Sequence, residues 1–337
     1  MKGYRYLIRE TFFGSEKAYE LVDGAAGLEA TLIPGFGSNL ISLRNTRKGI
    51  DFIKGPGTMA QLRERPVGSG FPVLMPPSRI ANGTFEFMGR RYTFERNEGG
   101  KNHIHGLVCN RPWRITRACA GDDGVFVQTR ISSDDHPEIL RSLPHSFELE
   151  LSFQLKDGAL TIDVAATNRG PDPMPFGLGF HPYFKVPLAD DSSKASCFIK
   201  LPASKRWELV DLLPTGKILP VEGKYDLRAG RGLEGLVLDD VFTEVEAEPG
   251  PHLHGNMVKC EYRDEMAGAG IIFEAGVEFP HWVVYTGRTT DTNFICLEPY
   301  TWIPNAPNVN LPAELTGARA LMPSEPFKGR MVLTPYC

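Results

Sequence analysis

The sequence predicts an all-β protein, built as a large antiparallel sandwich or barrel. Three observations carry that reading. Apolar and polar residues alternate with period two over several stretches, as strands with one wet face require. Helical periodicity is nearly missing, so nothing is available to serve as the crossovers of a parallel sheet. The 27 prolines and 35 glycines are spread along the chain, where they punctuate many short elements. The length of 337 residues would allow about two domains. No linker or fixed-period repeat interrupts the pattern, and one domain over residues 1–337 is the simplest expectation.

Taken in chain order, the elements justify this class. TMAQLRERP, from Thr58, reads as two helical turns capped by Thr58 and stopped before Pro66. TFEFMGRRYTF reads as a hairpin, with Phe85 and Phe87 before a turn at Met88 to Arg90 and Tyr92 and Phe94 after it. VFVQTRI, from Val125, is a further strand. FELELSFQL then alternates strictly, Phe147, Leu149, Leu151, Phe153 and Leu155 on one side and Glu148, Glu150, Ser152 and Gln154 on the other. After an Asp-Gly turn, LTIDVAAT alternates again through Leu160, Ile162, Val164 and Ala166, completing a second hairpin. PHWVVYTG, from Pro280, is a strand near the C-terminus.

Composition excludes several functions. The net charge is −4, and the densest basic run is GRR at Gly89 to Arg91, so no basic face is offered to nucleic acid. No apolar run approaches the ~18 residues of a membrane span, and charges at Arg5 and Arg9 interrupt any signal-like stretch. The six cysteines are far apart and form no CxxC pair, so reduced thiols and a cytoplasmic location are expected. Neither GxGxxG nor GxxxxGK[ST] occurs, which argues against a nicotinamide, flavin or ATP enzyme.

The candidate chemistry lies in histidines and carboxylates set among aromatics. NHIHG places His103 and His105 two apart, on one face if the segment is a strand, as a metal pair or a sugar-binding pair. PHLHG repeats the spacing at His252 and His254, within a Pro/Gly-rich stretch that reads as a solvated loop. CLEPYTWIPNAPN sets Glu298 among apolar and aromatic residues, where burial would raise its pKa toward that of a usable base. VLDDVF holds Asp239 and Asp240 between apolar residues, with a turn as the alternative reading. GFHPYF places His181 in a stretch without charge, so that it is a core residue, a metal ligand or a proton carrier. Aromatics beside carboxylates and histidines suit a carbohydrate, whose C–H face stacks while its hydroxyls hydrogen-bond.

Together these motifs resemble the aldose 1-epimerase (galactose mutarotase) family, in order and across most of the chain. The carrying segments are ATLIPGFGSNLISL, FPVLMPPSRIANGTFEFMGRRYTF, NHIHG, GFHPYF, LDDVF and LEPYTWIPNAPN. The resemblance implies a large twisted β-sandwich and interconversion of the α and β anomers of a hexose. It implies His181 as catalytic acid and Glu298 as catalytic base, with Arg79, His105, Asp239, Tyr183 and Tyr300 around the sugar. It implies a sugar as the partner, with no cofactor, metal, nucleic acid or membrane; a homodimer is the assembly considered. Hexose 6-phosphates are the alternative substrates, and a non-catalytic sugar-binding protein the alternative function. Leu107 stands where the family usually has a second glycine, and Pro299 and Tyr300 where many members have Thr-Gln.

Overall fold

The computed structural model describes residues 5–250 and 255–337, so His252 and His254 lie outside the described residues. Its longest hairpin is the one the alternation announces. Strands Phe147–Lys156 and Ala159–Asn168 pair antiparallel, with Phe153 opposite Ile162. Their link is Asp157 and Gly158, with φ of 50° and 77°. Two central residues with positive φ make the hairpin turn whose twist matches that of the strands. Phe147, Leu149, Leu151, Phe153 and Leu155 are all buried, and the polar residues between them are partly exposed.

This hairpin sits within the largest sheet, ten strands among the described residues. From the edge strand Arg114–Gly121 it runs through Gly124–Ser132 and the hairpin to Phe327–Tyr336. It continues through Ala269–Gly276 and Asn256–Asp264 to Cys197–Lys200 and Arg231–Gly232. A second sheet runs from Leu213–Pro220 through Ala203–Val210, Asp239–Val245, His281–Tyr285 and Phe294–Tyr300 to Gly179–Phe180 and Val73–Leu74. The two meet face to face over aromatic side chains. Phe273 of the first sheet lies 5.5 Å from Trp282 of the second, edge to face, and 5.8 Å from Phe184. A five-stranded meander, Tyr6–Phe13 to Ile50–Asp51, adds Leu21, Leu28, Leu32 and Leu43 to the same core.

Helix is scarce, as expected. Met59–Glu64 is capped by the Thr58 hydroxyl, which accepts from the Gln61 amide at 3.2 Å. Pro137–Ser142 and Ala313–Thr316 are also helical. Elements this short carry no periodic pattern, so the sequence did not announce them. The turn of the shorter hairpin is Met88 and Gly89; Arg90, expected in the turn, already belongs to the strand Arg90–Thr93. Asp239 and Asp240 open a strand and do not form a turn. Among the described residues no helix is long and apolar enough to cross a membrane.

Candidate active site

The site is built on the face of the second sheet that looks away from the first. In antiparallel pairs, directly opposed residues share a face, and alternate residues along a strand return to it. Along Phe294–Tyr300, Ile295 and Leu297 enter the inter-sheet core, while Cys296, Glu298 and Tyr300 point the other way. Register then assembles the neighbours. Cys296 is opposite both Tyr285 and Tyr183, and Tyr285 is opposite Asp239. Gly179 is opposite Tyr300 and Tyr183 is opposite Cys296. That common register carries His181 to the position facing Glu298.

GFHPYF is thereby explained residue by residue. Phe180 and Phe184 alternate into the core. His181 and Tyr183 face the cleft, where their rings stack at 4.7 Å with planes 6° apart. Pro182 cannot donate to a ladder, and the chain leaves the sheet there. The His181 amide donates to the Pro72 carbonyl and the Tyr183 amide to the Gly70 carbonyl. The His181 Nε2 lies 3.3 Å from Glu298 Oε1. The other carboxylate oxygen, Oε2, accepts from the Tyr300 hydroxyl.

Arg79 and His105 come from outside this sheet. The short strands Arg79–Ile80 and His103–Ile104 pair with each other. His105 has φ of 65°, which breaks the strand alternation. The two histidines of NHIHG therefore part company, contrary to the one-face expectation. His103 turns inward, against Phe94, with its Nδ1 2.8 Å from the Glu95 carbonyl. His105 enters the cleft, 5.2 Å from the His181 ring. Gly106 follows with φ of 77°, and a Cβ there would fall 2.3 Å from the Met75 backbone. Arg79 is held by Glu98, to which its Nε donates at 2.9 Å and its terminal nitrogen at 2.8 Å.

All seven residues singled out in the sequence, Arg79, His105, His181, Tyr183, Asp239, Glu298 and Tyr300, line one cleft of about 170 Å³. Two differ in what they offer. The Tyr183 hydroxyl donates to the Val67 carbonyl at 2.7 Å, and the Tyr300 hydroxyl donates to Glu298. Both hydroxyls are committed within the protein, so Tyr183 presents its ring and Tyr300 its grip on the carboxylate.

Burial dominates the ionisation of the pair. It pushes Glu298 well above the usual carboxylate range, against the Tyr300 hydrogen bond. It pulls His181 down to about 3, against a backbone hydrogen bond and with help from Arg79. Each shift opposes a separate charge in a dry site. The two groups touch, however, and titrate as one unit. Imidazole beside carboxylic acid, and imidazolium beside carboxylate, hold the same single proton. Burial favours the first arrangement, and the second is one proton hop away.

The aldose 1-epimerase family model matches residues 17–334. The chain belongs to the aldose 1-epimerase family. A galactose mutarotase-like protein from Clostridium acetobutylicum superposes with a TM-score of 0.90 at 27% identity, over 98% of both chains. A GalM/aldose epimerase homologue from C. elegans superposes at 0.73 with 22% identity, over 98% of this chain and 99% of that one, which speaks for the fold alone. The uncharacterized Escherichia coli K12 protein YihR is 31% identical over 144 residues, 42% of this chain and 44% of that protein. The match thus spans less than half of that curated relative.

Within this aldose 1-epimerase cleft stand residues that sequence reading did not single out: Glu98, Arg65, Arg288, Ser78 and Tyr285. Glu98 lies in NEGGKNH, a polar stretch without alternation, so nothing local marked it as the clamp on Arg79. Tyr285 was visible as a strand residue, but only pairing with Asp239 and Cys296 brings it to the cleft. Cys296 escaped notice because a lone cysteine in an apolar run reads as core; the same period that turns Glu298 to the cleft side of the strand turns it there too, although it stays fully buried beneath the cleft wall.

Proposed function

We propose that the protein is a mutarotase that interconverts the α and β anomers of a hexose by opening and reclosing the pyranose ring. The observation that supports this most directly is the His181–Glu298 contact of 3.3 Å at the wall of a monosaccharide-sized cleft. The reaction needs one proton removed from the C1 hydroxyl and one delivered to the ring oxygen, with no change of oxidation state. Those two oxygens share the anomeric carbon, so an adjacent acid and base can serve both. Glu298, as carboxylate, takes the C1 proton while His181, as imidazolium, protonates the ring oxygen, and the C1–ring-oxygen bond breaks. The aldehyde rotates and the roles reverse on closure, with the proton count of the pair unchanged. Arg79 and His105 stabilise negative charge developing on the ring oxygen, and Asp239 orients the ring hydroxyls.

A second substrate class has one specific support. Arg65 and Arg288, both exposed, line the cleft, and no carboxylate among the described residues forms an ion pair with either. A 6-phosphate on the hexose would meet that charge. NMR exchange spectroscopy on a panel of free and 6-phosphorylated hexoses tests both readings, with acceleration of anomeric exchange as the expected result. Binding without acceleration would leave a sugar-binding protein. Dialysis against EDTA is expected to leave the rate unchanged, because the pair moves protons without a Lewis acid.

A further inference from the structure

Cys296 has no part in the proton transfers, yet it sits beside them. It is fully buried, two residues before Glu298, and shares its cleft-facing side of the strand. A ring nitrogen of His181, the Cys296 sulfur and a carboxylate oxygen of Glu298 all lie within 4.8 Å of one another. The Tyr300 hydroxyl occupies Glu298 Oε2, so Oε1 is the oxygen turned toward His181. The separation of that oxygen from His181 Nε2, 3.3 Å, is already the edge of a tetrahedral zinc site with bonds of roughly 2.0–2.1 Å to each.

We propose that His181, Cys296 and Glu298 form a binding site for a thiophilic divalent cation of the zinc type, and that the cation inhibits the enzyme by occupying its proton-transfer groups. The donor set is one nitrogen, one sulfur and one oxygen. Calcium and magnesium require six or more oxygens and are not matched. Zinc accepts this mixture in four-coordinate geometry and leaves a fourth position toward the cleft. Binding releases two protons, one from the thiol and one from the carboxyl, each to solvent. The resulting thiolate and carboxylate offset the charge of the cation, so the buried site gains no net charge. A tetrahedral site with a zinc–sulfur bond of roughly 2.3 Å needs the sulfur about 3.6 Å from the other two donors, and since all three already lie within 4.8 Å of one another, the sulfur closes by no more than about 1.2 Å. Once bound, the metal holds the His181 lone pair and the Glu298 oxygen, and neither can exchange a proton with sugar.

The inhibitory half rests on the proposed mutarotase reading, and the binding half does not, so two readouts separate them. The full-length protein is titrated with cobalt(II), and thiolate-to-cobalt charge transfer is followed in the near ultraviolet. One equivalent should produce the band in the wild type, and Cys296→Ser should abolish it. Anomeric exchange is then measured with added zinc. The wild type should lose at least tenfold in rate and recover it with EDTA. Cys296→Ser should keep the basal rate and need at least tenfold more zinc for the same inhibition. Cys296→Ala gives the same comparison should the buried hydroxyl impair folding, which a thermal melt reports. The absence of the cobalt band in the wild type would overturn the site. Zinc inhibition of equal potency with and without Cys296 would overturn it as well, by assigning the metal to Cys119 or Cys337, the thiols that are not buried. A cobalt band in a protein that accelerates no sugar would uphold the metal site and remove the mutarotase reading.

Discussion

Glu298, the proposed base, is nearly dry, with 1% of its surface exposed. Glutamine at this position keeps the shape and the acceptor for Tyr300 but takes no proton. Glu298→Gln is expected to lower kcat by ~10²–10⁴ while sugar binding, read by titration calorimetry, stays near wild type. Unshifted groups would confine activity to a narrow acidic window, roughly between 4.3 and 6.5. The buried pair extends that window on its acid side. Its second proton is resisted until His181 charges, at about 3, and its single proton is retained past the usual carboxylate range. The pH profile of kcat/KM should therefore show an acid limb well below 6 and an alkaline limb that belongs to the pair. An alkaline limb unchanged in His181→Asn would assign that proton elsewhere, with His105 and Tyr183 next to test.

At the scale of elements, the site depends on how short segments are pinned. The His105 segment is pinned by the His105 amide donating to the Ser78 carbonyl and the Leu107 amide to the Met75 carbonyl, and between them Gly106 combines φ of 77° with close approach to the Met75 backbone. Gly106→Ala is strained by both, and should destabilise the fold by more than about 1 kcal/mol. It should also raise KM more than it lowers kcat, since it displaces His105, the proposed sugar contact, and spares the His181–Glu298 pair. A thermal melt and steady-state kinetics on the same preparation check the two effects. Legibility also divides by element. The hairpin around Asp157-Gly158 could be read from the chain because it is long, alternating and closed by a local turn. The strand Gly179–Phe180 could not, because two residues have no period and the element exists only through pairing with Val73–Leu74 and Tyr300. NHIHG misled at one point for a related reason. A single positive φ at His105 cancels the alternation, and the sequence around it has no feature that announces it.

Across the whole molecule, several histidines are buried in their neutral form, and acid should be felt through them. His281 is the cleanest case, because it is 2% exposed, neither ring nitrogen has a protein partner, and burial alone pulls it to about 3. The unfolded chain binds this proton below about 6.5, while the folded chain refuses it until about 3. Stability from this group is therefore complete above 6.5 and lost as pH falls through that interval. At pH 5 the loss is about 2 kcal/mol. His281→Phe should remove it, so the variant gains on the wild type between pH 8 and pH 5 in denaturant midpoints. Equal differences at the two values would place the protonation elsewhere. His103, His105 and His181 act in the same direction, and Glu298, raised by burial, acts in the opposite one.

By itself the sequence determined the all-β class, the two hairpins and the ordered motifs, because alternation and turn chemistry act between near neighbours. It also marked seven residues that now line one cleft, through motifs whose order resembles that of the family rather than through any local pattern. Tertiary structure alone decided who touches whom. Register set His181 against Glu298 across 117 positions of chain, and the same register brought in Cys296. Only packing decided that Tyr183 and Tyr300 spend their hydroxyls on the protein, that Glu98 clamps Arg79, and that His181 and Glu298 lie close enough to share one proton. Those are consequences of distance and dielectric, and neither is written in the order of residues along the chain.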